Sequence, residues 1–115
     1  MATISNNLGS ISISNDVLAV IAGRSAEQCY GIVGMASKRA ADGISQLLNI
    51  ENYARGIKVR SSGDSVEIEM YIIVEYGVSI NAVAQTAIDT VKYNIETMTG
   101  LKVSKVNVSV ESVRV

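Results

Sequence analysis

The stretch that most constrains this chain runs from Ser79 to Gly100, SINAVAQTAIDTVKYNIETMTG. Its apolar residues Ile80, Val83, Ala84, Ala87, Ile88, Val91, Ile95 and Met98 recur at steps of one, three or four, the stripe of an amphipathic helix. Ser79 is placed to cap the first turn through its hydroxyl, and Gly100 stands where a left-handed residue ends a helix without a Cβ clash. Two β-type runs flank it, SVEIEMYIIVEY before and LKVSKVNVSVESVRV after. A helix with one wide apolar face between two strands is a helix lying on a sheet.

The strand before that helix is the return arm of a hairpin opened by Gly56. Ile57 and Val59 point one way, Lys58 and Arg60 the other; on the return, Val66, Ile68, Met70, Ile72, Val74 and Tyr76 share a face opposite Glu67, Glu69 and Glu75. An even-numbered turn keeps both apolar rows on one side. A Ser62-Gly63 turn pairs Val59 with Val66; a Gly63-Asp64 turn pairs Val59 with Ile68 and Arg60 with Glu67; both suit Gly, and the residues leave both open. In the last strand Val103 is odd-numbered, Val106, Val108 and Val110 are even, and Val113 is odd again. The alternation slips near Ser104-Lys105 and near Glu111-Ser112, which predicts two β-bulges.

Earlier in the chain, residues 1–8 read as a loose tail, GSISIS as a short strand, and Asp16 to Gln28 as a helix capped by Ser14 or Asn15, with Val17, Val20 and Ile21, and Leu18 beside them, turned inward. YGIVGMAS carries Gly31 and Gly34 and reads as a tight turn or a short extended piece. From Lys38 a second helical pattern begins, with Ala40, Ala41, Ile44, Leu47 and Leu48 on one side. The expectation is one α+β domain over residues 9–115, a two-layer sandwich with a mainly antiparallel sheet and its helices packed on one face.

Composition narrows the chemistry. The chain has 115 residues, a net charge of −1, one cysteine and no His, Trp, Phe or Pro. A near-neutral balance gives no general attraction to nucleic acid or to anionic lipid. Cys29 alone forms no internal disulfide and fits a reducing compartment, and no apolar run reaches the ~18–20 residues of a membrane span, so a cytoplasmic protein is expected. Without His there is no Ser-His or Cys-His pair and no structural zinc set. Glu67, Glu69 and Glu75 share a strand face and invite an acid/base or cation reading, yet Lys58 and Arg60 stand opposite as ordinary cross-strand partners. No catalytic residue, metal or cofactor is assigned.

Two features remain as candidate sites. Tyr71 and Ile73 interrupt the glutamates on the polar face, and an apolar pair rimmed by charge marks a self-association or partner face, or else an edge covered by the N-terminal tail. Gly31-Ile32-Val33-Gly34 has the GxxG pattern with which KH domains clamp a nucleic-acid backbone, and Lys38 and Arg39 are the basic pair close by. Its central Ile and Val stand where a phosphate-facing loop calls for polar or basic residues.

GIKV, followed by SVEIEMYIIVEYGVSINAVAQTAIDTVKYNIETMTGLKVSKVNVSVESV, resembles the bacterial alkaline shock protein family, also called the Gls-type envelope stress response family. GSISISNDVLAVIAGRSAEQCYGIVGMAS is similar to that family's strand, helix and Gly-Val-x-Gly segment. The resemblance implies a small cytoplasmic protein of Gram-positive bacteria, linked to envelope stress or lipid metabolism, without established catalytic residues. It implies partners among copies of the chain or a membrane-anchored relative, with no insertion into the membrane by the chain itself. This chain lacks the long charged flanks of the envelope-stress members and looks like a domain-only relative. Three classes follow: a non-enzymatic scaffold or interaction protein, an RNA-binding module using Gly31 to Gly34, and a regulatory subunit of a lipid-linked enzyme.

Overall fold

The computed structural model describes residues 1–36 and 56–115. In chain order they form β1 (Ala2–Asn6), β2 (Gly9–Ile13), α1 (Asn15–Glu27), β3 (Ile32–Met35), β4 (Ile57–Ser62), β5 (Ser65–Glu75), α2 (Ile80–Thr99) and β6 (Lys102–Arg114). The helical pattern expected from Lys38, with Ala40 to Leu48, lies outside the described residues.

β5 is the centre of the sheet. Its alternate residues Val66, Ile68, Met70, Ile72 and Val74 are all at most 1% exposed and pack under the helices with Leu18, Val83, Ala87, Val91, Ile95 and Leu101. β4 turns into β5 through Gly63-Asp64, so that Val59 faces Ile68 and Arg60 faces Glu67. Gly63 has φ +61°, a left-handed backbone that a residue with a Cβ resists, and the register Ser62↔Ser65 is the second of the two turns that the sequence allows.

β6 lies beside β5 in parallel, from Ser65↔Lys102 to Glu75↔Arg114. The connection dictates this. α2 spans about 30 Å and carries the chain back along the sheet to the start of β5, as a parallel crossover requires. The register slips between Val66 and Glu67 and between Ile72 and Ile73, which leaves Ser104 and Glu111 as the extra residues of β6. These are the two predicted bulges. The remaining pairings, β1 with β2, β3 with β5 and β4 with β5, are antiparallel.

A strand has two edges, and β5 has three partners, so two of them share an edge. Ala36 N–H donates to the Tyr71 carbonyl and Tyr71 N–H donates to the Gly56 carbonyl, each at 2.8 Å. β3 and β4 therefore follow one another along the edge opposite β6, meeting at Tyr71. Val33 is a bulge residue in β3, between the pairs Ile32↔Val74 and Gly34↔Ile73.

The helices cover one face, as expected, with differences in detail. Ser79 Oγ accepts from Ala82 N–H, and Gly100 closes α2 at φ +79°. The buried stripe of α2 is Val83, Ala87, Val91 and Ile95, while Ile80 and Met98 at its two ends are exposed. In α1, capped by Ser14, the inward residues are Leu18, Ala19, Ala22, Gly23, Ser25 and Ala26. The expected Val17 is 49% exposed, and Val20 and Ile21 are half-buried. Small residues let α1 approach both the sheet and α2 closely, and that gain in contact outweighs the larger area of the valine stripe. Ser25, buried beneath this contact, donates to the Ile21 carbonyl and accepts from Asn94 Nδ2 of α2 at 2.8 Å.

The expected loose tail is also corrected. Residues 2–6 form β1, paired with β2 from Ala2↔Ile13 to Asn6↔Gly9, and Ala2 is fully buried. Asn6 Oδ1 accepts from Leu8 N–H at 2.8 Å, a side-chain turn that reverses the chain. Thr3 N–H donates to the Gly63 carbonyl, which ties the hairpin to the β4–β5 turn.

Candidate functional site

The sheet face turned away from the helices carries the residues of interest. Strand alternation places Lys58 and Arg60 of β4, Glu67, Glu69, Tyr71 and Ile73 of β5, and Lys105, Asn107, Ser109 and Ser112 of β6 on it. Arg60 Nη1 lies 3.1 Å from both Glu67 Oε1 and Glu69 Oε2. Its hydrogen bond to Glu67, then the charges of Glu69 and Glu67, hold the guanidinium still further toward its charged form. Glu69 also accepts from the Tyr71 hydroxyl at 2.9 Å, and Lys58 Nζ stands 5.9 Å from the Tyr71 ring centroid. The two carboxylates are thus engaged by one arginine and one phenol, a cross-strand network in place of a free acid/base pair. Among the described residues, no group of three or more His, Cys, Asp or Glu is placed to hold a metal ion.

Tyr71 and Ile73 are unequal. Tyr71 is 8% exposed, held down toward Glu69, whereas Ile73 is half-buried. Across the strands Ile73 has Gly34 on one side and Ser112 on the other; Tyr71 has Ser109 on its β6 side. Gly34 and Ser112 are short neighbours, and the Ile73 side chain reaches over Gly34, its Cδ1 3.8 Å from where a Cβ would stand. The β1–β2 hairpin is tied to the β4–β5 turn at Gly63, at the other end of β5 from Ile73.

The bond to Glu69, followed by burial and the charge of Glu69, pushes the Tyr71 phenol above its ordinary value of about 10. The unfolded chain ionises first as pH rises, so this contribution to stability is complete below pH ~10 and is lost as pH climbs toward the raised folded value. We expect one of the five tyrosines to titrate late when phenolate absorbance is followed. Tyr71→Phe should remove that late step and flatten the loss of stability above pH ~10.

The Gly31–Gly34 segment does not form the loop that nucleic-acid clamping requires. Gly31 is a turn residue at φ +92° seated against α2, where an added Cβ would lie 2.6 Å from Val83 Cγ2. Ile32–Met35 is strand β3; Glu75 N–H bonds the Gly31 carbonyl and Ile32 N–H bonds the Cys29 carbonyl. The backbone groups that would meet phosphates are spent on the sheet and the turn. Gly34 instead becomes the neighbour of Ile73, which joins two candidates that are far apart in sequence. Lys38 and Arg39 lie outside the described residues. Cys29 is buried, its Sγ 3.5 Å from the Ser25 carbonyl, a packing position.

Open grooves also lie among the described residues. One of about 400 Å³ lies between the exposed Tyr30 and Tyr76 at the start of α2, with Glu75 as its single ionisable carboxylate. Another of about 310 Å³ runs between α1 and α2, lined by Val20, Ile21 and Met98 with Arg24 at its side. Neither gathers converging ionisable groups of the kind that proton transfer or nucleophilic attack needs. Sequence reasoning missed both: the exposed tyrosines of the first carry no periodic signal, and Val20, Ile21 and Met98 of the second read as core positions. No helix among the described residues is long and apolar enough to cross a membrane.

Comparison with known proteins agrees with the resemblance read from the residues. The chain is 49% identical over 108 residues to the uncharacterised protein YloU of Bacillus subtilis (strain 168), covering 93% of this chain and 90% of that one. It is 41% identical over 108 residues to the uncharacterised protein Spy1614 of Streptococcus pyogenes serotype M6, covering 93% and 89%. Among solved structures, a MamM-CTD chain superposes with a TM-score of 0.52 at 14% identity, over 84% of this chain and 96% of that one, a likeness of fold. Residues 3–115 match the model of the ASP23 family, described as having a cell envelope-related function. The chain belongs to this alkaline shock protein family.

Proposed function

We propose that this protein is a non-enzymatic scaffold of the cell envelope, in the setting of envelope stress or lipid metabolism. It works by contact, presenting the outer face of its sheet to copies of itself or to a membrane-anchored relative. The observation that carries the reading is the arrangement of that face: Glu67, Glu69 and Tyr71 are closed into a network with Arg60, while Ile73 stands between Gly34 and Ser112. A face whose two glutamates are already engaged by Arg60 and the Tyr71 hydroxyl is suited to docking, since it offers an apolar anchor within a polar rim. An RNA-binding module finds less support, because the Gly31–Gly34 backbone is committed to β3 and its turn. One anchor contributes roughly 1.5–3 kcal/mol before the costs of association, so a stable complex draws on further area or on strand edges. The test is cross-linking in the cell from position 73, with the exposed helix residue Lys92 as the comparison site.

A further inference from the structure

We propose that two copies of this chain join their sheets edge to edge, β6 against β6, antiparallel about a two-fold axis at Val108. The proposal rests on the self-association part of the reading above and adds a contact at the strand edge beside the outer face.

β6 lies at the margin of the sheet, and among the described residues its pairing is with β5 alone. An edge of this length is a template for another strand. What marks this edge for a second copy of itself is its symmetry. The residues turned toward the helices are Val103, Val106, Val108, Val110 and Val113, spaced three, two, two and three. The extra residues Ser104 and Glu111 fall one within each step of three, four and three residues from Val108. In an antiparallel pair centred on Val108 the bulged step 103–106 lies opposite the bulged step 110–113, with Ser104 facing Ser112 and Glu111 facing Lys105, so the count of residues stays matched from end to end. Any other centre sets a bulge against regular strand.

The side chains agree with that register. Val106 meets Val110 of the second copy on the helix side. On the outer side Asn107 meets Ser109, and Lys105 meets Glu111; two-fold symmetry makes this ion pair twice. Lys105 and Glu111 are both exposed in the single chain. The pairing stretch is Ser104–Ser112, because Val103 N–H is already taken by Glu96 Oε2 at 3.0 Å. Lys102 and Arg114, which carry like charge, fall beyond it. Exposure along the strand points the same way: Val106 is 8% exposed, Val108 and Val110 are half-buried, and Val113 is 42% exposed. A second copy would bring its own helix layer to the same side of the continued sheet, over the half of β6 that α2 leaves bare.

The test is a charge swap read by sedimentation and light scattering over a range of concentrations. Lys105→Glu places like charges opposite each other twice, and so does Glu111→Lys; each should weaken the dimer by about tenfold or more, with the loss shrinking at high salt. The double variant Lys105→Glu with Glu111→Lys restores both pairs in reverse and should return to within about threefold of the parent. Within one chain Lys105 faces Glu67, and the double variant keeps that new repulsion, so recovery reports the contact between copies. Single variants that associate like the parent, or a double variant that adds the two losses, would overturn the β6 pairing and leave the scaffold reading in place. A parent chain that stays monomeric throughout would overturn the pairing and self-association together, while cross-links to a different partner from position 73 would still support docking.

Discussion

Ile68→Ala is expected to destabilise the fold by about 3–4 kcal/mol, lowering the melting temperature by roughly 10–15 °C. Ile68 is fully buried at the middle of the central strand, between Val59 of β4 and Val106 of β6 and beneath the helix layer. Truncation removes three carbons of apolar contact and leaves a void that strands bonded on both sides cannot close, so the cavity cost adds to the transfer cost. Ile68→Val should cost ~1 kcal/mol by the same reasoning. Ile11→Ala, at a site 60% exposed, should stay within about 0.5 kcal/mol. Thermal or denaturant unfolding of the three variants checks the series, and equal losses at positions 11 and 68 would contradict the burial assigned to β5.

Gly56→Ala should cost a comparable amount, about 2–5 kcal/mol, through a different cause. Gly56 opens β4 at φ +74°, and an added Cβ would lie 2.5 Å from the Ala36 carbonyl oxygen and 3.0 Å from that of Tyr71. Both obstacles are backbone, and the Ala36 N–H and the Gly56 carbonyl are the very groups that tie β3 and β4 to Tyr71. Relief of the clash therefore has to break the edge of the sheet. Gly63→Ala is the control, because it shares the left-handed backbone at φ +61° but has nothing within 4 Å of its added Cβ. It should lose ~1 kcal/mol, the conformational cost alone. Unfolding curves compare the totals, and amide exchange at Tyr71 locates the damage. If the two glycine variants lost the same stability, β3 and β4 would not meet as described.

The parts of this fold that were legible in the sequence are those where one chemical pattern has one geometric meaning. Ser79 and Gly100 bracket α2 because a hydroxyl cap and a left-handed glycine have few other uses at those places. The parity slips in β6 gave both bulges, since a strand that changes face must carry an extra residue. The β4–β5 register was narrowed to two choices, both of which place Gly63 where a positive φ is needed, and only the pairing of Ser62 with Ser65 in the fold tells them apart. Where patterns compete, the sequence was less informative. α1 carries two apolar stripes, and close packing chose the smaller one, which side-chain size argues against. β1 hid behind a buried alanine, whose contribution no hydrophobic pattern weights, and the Asn6 side-chain turn that pairs it with β2 looks like ordinary loop polarity. The sharing of one sheet edge by β3 and β4 depends on bonds between residues distant in sequence, and so does the meeting of Gly34 with Ile73. The outer face was readable as a row of charges with two apolar interruptions. That Tyr71 lies buried under its network while Ile73 is half-buried beside Gly34 could be learned from the fold alone.

The central claim, that this protein acts by contact through the outer face of its sheet, is tested most directly by cross-linking in living cells. A photo-cross-linking amino acid is placed at Ile73 in one strain and at Lys92, on the exposed side of α2, in another. The account predicts discrete, reproducible adducts from position 73, identified by mass spectrometry as a second copy of this chain or a membrane-anchored member of its family, and few or none from position 92. Position 73 yielding no more adduct than position 92, with both proteins folded and equally abundant, would contradict it.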